Sequence, residues 1–360
     1  MTPEVFLKLE AIDTLMFRDG RPFNRFEAGA SAATSIFPPL PPAVVGAIRA
    51  ALWQDAGGHW DKDKLGDGTD WNSKASLNEK LEFSAPLLRK NGRPMFPAPL
   101  HLVSGKKGEK KVFELLRPMK EPLETDIGPV RLPQTEDPDL KGIKPEEESW
   151  LTVDGMNKIL AGKPLTTEDA KHCRINKNNL WQMETRVGIG IDSGSRSVAK
   201  GQLYTASHVR LAEDVDLVVS VKSESQFANL NLGLNAFAGR HRMAHIEPLG
   251  SRPDLPKTNT LPNRRYCAIL ISPMIVDEEP QLNRSIKKLP GKLVSACLGK
   301  PQPLGGWNSQ NKKPLPLRLA IPAGSVWFFE GDDGTALSKN LSKIGCATDW
   351  GFGQILIGAW

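Results

Sequence analysis

Three consecutive stretches carry the fold: "EVFLKLEAIDTLMF" (residues 4–17), "RDGRPF" (18–23) and, after a gap, "SIFPPLPPAVVGAIRAALWQ" (35–54). In the first, Val5, Leu7 and Leu9 alternate with polar residues, the period of a strand with one buried face. In the third, four prolines impose an extended approach, and Pro42 suits the first turn of a helix. Val44, Val45, Ile48, Ala51 and Leu52 then share one arc of a 3.6-residue helix, which predicts a core-facing stripe. Between them Asp19 and Gly20 make a turn, because glycine accepts positive φ and Asp hydrogen-bonds its own backbone. The flanking Arg18 and Arg21 are not needed for a turn. They are either ordinary solvation or a fork of planar guanidiniums, and the anion-binding reading is taken here. The far side of the helix carries Gly46, Ala50 and Trp53, with Arg49 at its margin, so either a partner or the chain itself comes close there.

Working outward, the second half reads as strands. "ETRVGIGID" and "GQLYTASHVRL" bracket "SGSRSVAK" as a hairpin, and "VDLVVSVKS" follows with Val215, Leu217, Val219 and Val221 in alternation. "RRYCAILISPMIV" reads as a buried strand, "FANLNLGLNAFAGRHR" as a glycine-interrupted helix, and "DWGFGQILIGAW" as a turn entering a terminal strand. The order predicts an α+β protein: two sandwiches, residues 1–180 and 181–360, each with helices on one face of an antiparallel sheet. Polar, Gly-rich residues 55–80 and Lys-, Pro- and acid-rich residues 104–148 read as insertions looping from that frame.

The chain has 360 residues, 39% hydrophobic and 24% charged, a globular composition. No apolar run approaches the ~20 residues of a membrane span, and "MTPEVFLKLEAIDTL" has no basic segment leading to a small-residue cleavage site, so a cytoplasmic protein without membrane partners is expected. Cys173, Cys267, Cys297 and Cys346 form no C-x-x-C pair, and no metal or cofactor is expected from them. Net charge is +6. Lys plus Arg and Asp plus Glu balance at 26 each in residues 1–180, whereas 21 face 15 in residues 181–360. An excess held in one half favours a polyanion as partner.

Enzymatic patterns are weak. His241 and His245 in "HRMAH" are spaced as two metal ligands on a helix, but no Glu lies between them and no third ligand is evident. "GIGIDSG" has its third glycine misplaced for a dinucleotide loop, and Ser193 and Ser195 sit in no nucleophile elbow. Anion binding fares better. Arg186, Arg196 and Lys200 surround a hairpin loop whose Gly and Ser residues, Ser193 and Ser195 among them, offer backbone N–H groups to a phosphodiester, and Tyr204 offers a face for a base. In "GFG", Gly351 and Gly353 remove Cβ atoms beside Phe352, which permits a close backbone approach, by a sugar–phosphate or within a plain tight turn.

In this order, "LMFRDGRPF", "VVGAIRAALW", "ETRVGIGIDSGSRSVAKGQLY", "GGWNSQNKKPLPLRLAIPAGSVWFFEG" and "WGFGQILIGAW" resemble the third subunits of the type III-B CRISPR Cmr complex, which are RAMP proteins. The resemblance implies two ferredoxin-like, RRM-related domains and a glycine-rich loop near 350–353. It also implies a non-catalytic subunit in antiviral defence that holds the 5′ tag of the guide RNA and docks onto the large polymerase-like subunit and a backbone RAMP subunit. Under it Arg18 and Arg21 belong to a basic loop touching RNA or a neighbouring subunit. The pattern departs at Ala238–Arg240, where a Gly-Gly-Glu-like run is expected, and at Asn308, where Asp is expected. The alternatives are a metal-independent endoribonuclease that processes guide precursor, with His208, His241 or His245 as base, and a purely architectural bridge.

Overall fold

In the computed structural model the described residues are 3–18, 32–55, 76–77, 79–126, 128–192, 194–223, 230–239, 241–257, 265–276, 286, 289–308, 313–331 and 342–360. They are mostly β, arranged in several sheets, with three α-helices: α1 (Pro41–Asp55), α2 (Val153–Leu160) and α3 (Thr167–Cys173). The insertion expected at 55–80 falls largely outside the described residues.

The largest sheet has nine strands. At its centre the opening strand Glu4–Ala11 lies antiparallel to Val215–Lys222 on one side and Met243–Pro248 on the other. Val215–Lys222 pairs onward with Leu87–Lys90, which pairs with Arg93–Pro97. The expected division at 180/181 therefore runs through a sheet: strands from both stretches complete one another's hydrogen bonds.

Alternation along these strands sorts the core. Leu7, Leu9, Leu217, Val219 and Val221 face α1, burying Val44, Val45, Ile48, Ala51 and Leu52 as the helical period predicts. Phe6, Leu87, Phe96 and Val218 face the other way, toward Met156, Ile159 and Leu160 of α2. Helices thus cover both faces of the sheet, not one, because the second face also gathers apolar side chains from neighbouring strands, Phe6, Leu87, Phe96 and Val218, which need a cover of their own. Local signals set α2 and α3: Thr152 accepts from the Gly155 N–H at 3.3 Å, and Thr166 and Asp169 form a capping box.

A four-stranded antiparallel sheet (Lys292–Cys297, Val326–Glu330, Arg265–Leu270, Ile355–Ala359) closes the second core, giving it Cys267, Ile269, Val326, Phe328 and Leu356. Its other face buries Tyr266, Ala268, Trp327, Phe329 and Ile357.

Two further expectations are overturned. Residues 104–148 are not a loop: Leu102–Lys107, Lys110–Leu115 and Lys141–Pro145 form a three-stranded sheet. The stretch read as an interrupted helix holds the strand Gly233–Ala236, paired antiparallel to Met243–Pro248. Since Gly233 has φ +63° and the next residues alternate in burial, sheet pairing wins over the helical reading. "HRMAH" enters that partner strand, so His241 and His245 share no helix face.

Candidate nucleic-acid interface

The hairpin expected from residues 184–192 and 201–211 is present, its first strand starting three residues earlier at Trp181 and its second three earlier at Val198. Trp181–Ile191 pairs antiparallel with Val198–Leu211, from Trp181↔Leu211 to Ile191↔Val198. Eleven residues at ~3.3 Å each make an arm of about 36 Å. Its base is anchored. Trp181 packs edge-on against Trp150 with ring centroids 5.6 Å apart, Val209 is buried, and Thr205 and Ala206 pair in parallel with Ala32 and Ala33. The distal part is not: from 182 to 198 no described residue is buried, and Val187, Ile189, Ile191 and Val198 are 47–67% exposed.

Near the base, charges converge. Glu184 accepts from Arg186 Nε at 2.8 Å and Arg210 Nε at 2.7 Å, while Asp13 lies 3.4 Å from Arg186, 3.3 Å from Arg210 and 3.0 Å from Arg242. Three guanidiniums share two carboxylates, which leaves one surplus positive charge. Hydrogen bonds from Arg210 and Arg186 lower the Glu184 pKa; the Thr14 backbone N–H, with Arg186 and Arg210 near it, lowers that of Asp13. Arg210, Arg242, Asp13 and Glu184 escape a sequence reading, since Arg242 and Asp13 are 229 positions apart. The one available signal was the strand period placing Glu184 and Arg186 two residues apart on one side.

At the tip, Asp192 organises the loop. Its Oδ1 accepts from the N–H groups of Gly194 (3.1 Å) and Ser195 (2.7 Å) and from Ser195 Oγ (2.8 Å), and its carbonyl accepts from Arg196 N–H at 2.8 Å. This corrects the expectation of open amides. A short acidic side chain beside the turn takes up the N–H groups a phosphate would have used. Arg196, exposed and at φ +53°, remains as the charge presented by the tip. Because the ionised Asp192 holds the loop, its pKa is lowered, chiefly by the Ser195 backbone bond. The cap is then complete above the ordinary aspartate value of about 3.9 and is lost as pH falls through the lowered one. NMR titration of the Ser195 amide is expected to inflect below 3.9, with no inflection in Asp192→Ala; an inflection at or above 3.9 in the native chain would contradict this.

The other candidates are scattered. Ser193 and Arg21 lie outside the described residues. Lys200 and Tyr204 stand in Val198–Leu211, Tyr204 opposite Gly188 in the register. Arg18 is exposed and its backbone bridges to Ser35. Arg49 is 9% exposed with its guanidinium carbon 5.5 Å from the Trp350 ring centroid, so the helix margin is packed by the chain itself. Gly351 and Gly353 are also brought against the protein's own backbone: an added Cβ would collide with the carbonyl oxygens of Ser84 and Ile344. The close approach these glycines permit is internal, and Phe352, fully buried, anchors the loop from within. His208 is 1% exposed and its Nδ1 lies 3.1 Å from Thr14 Oγ1, while His245 is half-exposed beside Glu247. Among the described residues no cluster of three His, Cys, Asp or Glu could hold a metal ion, and no helix is long and apolar enough to cross a membrane.

Comparison with known proteins adds the lineage. The chain is 27% identical over 107 residues to the CRISPR system CMR subunit Cmr3 of Saccharolobus solfataricus, a match spanning 29% of this chain and 32% of that one. It is similar in fold to a chain in a cryo-EM structure of type III-B Cmr-beta bound to cognate target RNA and AMPPnP. There the TM-score is 0.51 and the identity 17%, over 90% of this chain and 86% of that one. A second such structure, with cognate target RNA, has a TM-score of 0.49 at the same identity and the same coverage of both chains. The profile of the CRISPR-associated protein Cas_Cmr3 family matches residues 7–360, nearly the whole chain, and the protein belongs to that family, the Cmr3 subunits of type III-B complexes.

Proposed function

We propose that this chain is a non-catalytic, RNA-holding subunit of a type III-B CRISPR effector complex in antiviral defence. It grips the 5′ tag of the guide RNA and docks the large polymerase-like subunit and a backbone RAMP subunit. Its two main sheets are read as elaborated ferredoxin-like, RRM-related units. The observation that carries the reading is the hairpin arm, anchored by tryptophans, with exposed aliphatic residues along its length and Arg196 at its capped tip. Aliphatic side chains on a stiff two-stranded ribbon suit contact with base faces or partner protein, and guanidiniums suit phosphate. Family membership over residues 7–360 supports placing that arm in a guide-bearing particle.

The test is photocrosslinking of 4-thiouridine-substituted guide RNA in the assembled complex, together with Arg196→Glu. Crosslinks are expected on residues 187–198, and Arg196→Glu is expected to weaken guide binding about fivefold for any sequence, reducing the salt slope by about 0.7. Absence of crosslinks with an unchanged slope would overturn the reading, and specific cleavage of repeat RNA by the purified chain in EDTA would replace it with the nuclease.

A further inference from the structure

The three-stranded sheet of residues 102–145 sorts its charges by face. Lys106 stands directly opposite Lys111 on one neighbouring strand and Lys141 on the other. Residues opposite one another across antiparallel strands point to the same side with Cβ atoms ~4.5–5.5 Å apart, so three ammonium groups form one cross-strand row. Lys144 stands opposite Ser104 and joins the same face. Lys141 and Lys144 are three apart and would ordinarily point to opposite sides. The register shifts between them, with Gly142 at φ +63°, and this bulge turns both the same way.

The acids lie on the other face or are already paired. Lys107, on the opposite face, pairs with Asp137 at 2.6 Å, and that face is covered by Leu140, which would meet a Cβ on Gly105. On the lysine face Glu146 is committed to Lys111 at 2.9 Å and Arg174 at 3.1 Å. Among the described residues no carboxylate lies within ion-pair distance of Lys106, Lys141 or Lys144, and all three are exposed.

Like charges placed directly opposite destabilise a sheet. Here a bulge adds a fourth. We propose that this face is a second contact with RNA, separate from the hairpin arm, and that it binds the phosphate backbone without regard to sequence. The row is flat and open, about 10 Å across three strands at ~4.8 Å spacing, with no convergent donors to enclose a small anion. It suits repeated charge, which a polynucleotide supplies. The inference rests on the RNA-holding reading above.

The test uses the full chain and a fluorescein-labelled 30-nucleotide oligo(U), followed by anisotropy at several salt concentrations. Combined Lys106→Glu, Lys141→Glu and Lys144→Glu is expected to weaken binding at least tenfold and to reduce the slope of log affinity against log salt by about two. Lys107→Gln, on the acid-paired face, is expected to change affinity less than twofold. Lys106→Glu alone is expected to raise the melting midpoint by about 1–3 °C, since repulsion across two strand pairs becomes attraction. Should the triple variant not fold, Lys106→Gln with Lys141→Gln takes its place. If the native chain does not bind, this proposal falls, and the crosslinking of guide RNA in the assembled complex decides the RNA-holding reading by itself. If it binds, Arg196→Glu weakens it and the lysine variants do not, only this one falls. A loss of affinity with an unchanged salt slope would also overturn it, since the contact would not be to phosphates.

Discussion

Gly353→Ala is expected to lower the melting midpoint by about 5 °C or more, a large effect for one added methyl group. Gly353 sits at φ +66°, where an L side chain is strained, and the added Cβ would enter the Ile344 carbonyl oxygen. That oxygen cannot retreat cheaply. Gly353 accepts from Ile344 N–H and donates to the Pro273 carbonyl, both at 2.8 Å, so moving the loop breaks backbone bonds on two sides. Strain and clash together imply a cost of about 4 kcal/mol or more, from which the temperature shift follows. Gly46→Ala is the control. Gly46 is exposed in α1 with nothing within 4 Å of a new Cβ, so alanine there is expected to stabilise by about 0.5–1 kcal/mol. Calorimetry of the two variants decides: a Gly353→Ala midpoint within about 2 °C of the parent would show that the loop is not held as described.

The second large effect is expected at Arg89. It stands opposite Asp216 in the nine-stranded sheet and forks onto it, Nε to Oδ1 and Nη2 to Oδ2 both at 2.7 Å, with side-chain exposures of 7% and 16%. Arg89→Met leaves a mostly buried carboxylate alone and is expected to cost about 3 kcal/mol. Adding Asp216→Leu removes that carboxylate, and the double variant is expected to recover most of the loss, because two apolar side chains avoid desolvating either charge. Urea unfolding at constant m-value measures both. A single variant costing under about 1 kcal/mol would mean that water reaches the pair.

Periodicity made some of this legible. The opening strand, α1, the long hairpin, Val215–Lys222 and the terminal strand were all readable because burial imposes a period of 2 or 3.6 on apolar residues. The sheet at 102–145 was not, because its lysines, prolines and acids carry no apolar alternation and resemble a solvated loop. The strand Gly233–Ala236 follows leucines that repeat every second residue, Leu230, Leu232 and Leu234, a strand period passed over because of the interrupting glycine, and its edge pairing with Met243–Pro248 depends on a partner that local sequence does not contain.

The candidate interface divided in the same way. Arg186 and Arg196 were found as basic residues around a predicted turn. Asp192, which consumes the loop amides, was passed over because its role depends on loop geometry. At "GFG" the missing Cβ atoms were visible, but not whose backbone would fill the space; Ser84 and Ile344 do.

From its own order of residues the chain determined which segments alternate, which turn, and that its motifs are those of the Cas_Cmr3 family. Folding decided where each charge went: summed along the chain, residues 1–180 are neutral, yet strand register and one bulge place Lys106, Lys111, Lys141 and Lys144 on one face and Asp137 on the other. Net charge adds along a sequence, but electrostatic attraction depends on distance and direction, and those are properties of the assembled sheet alone.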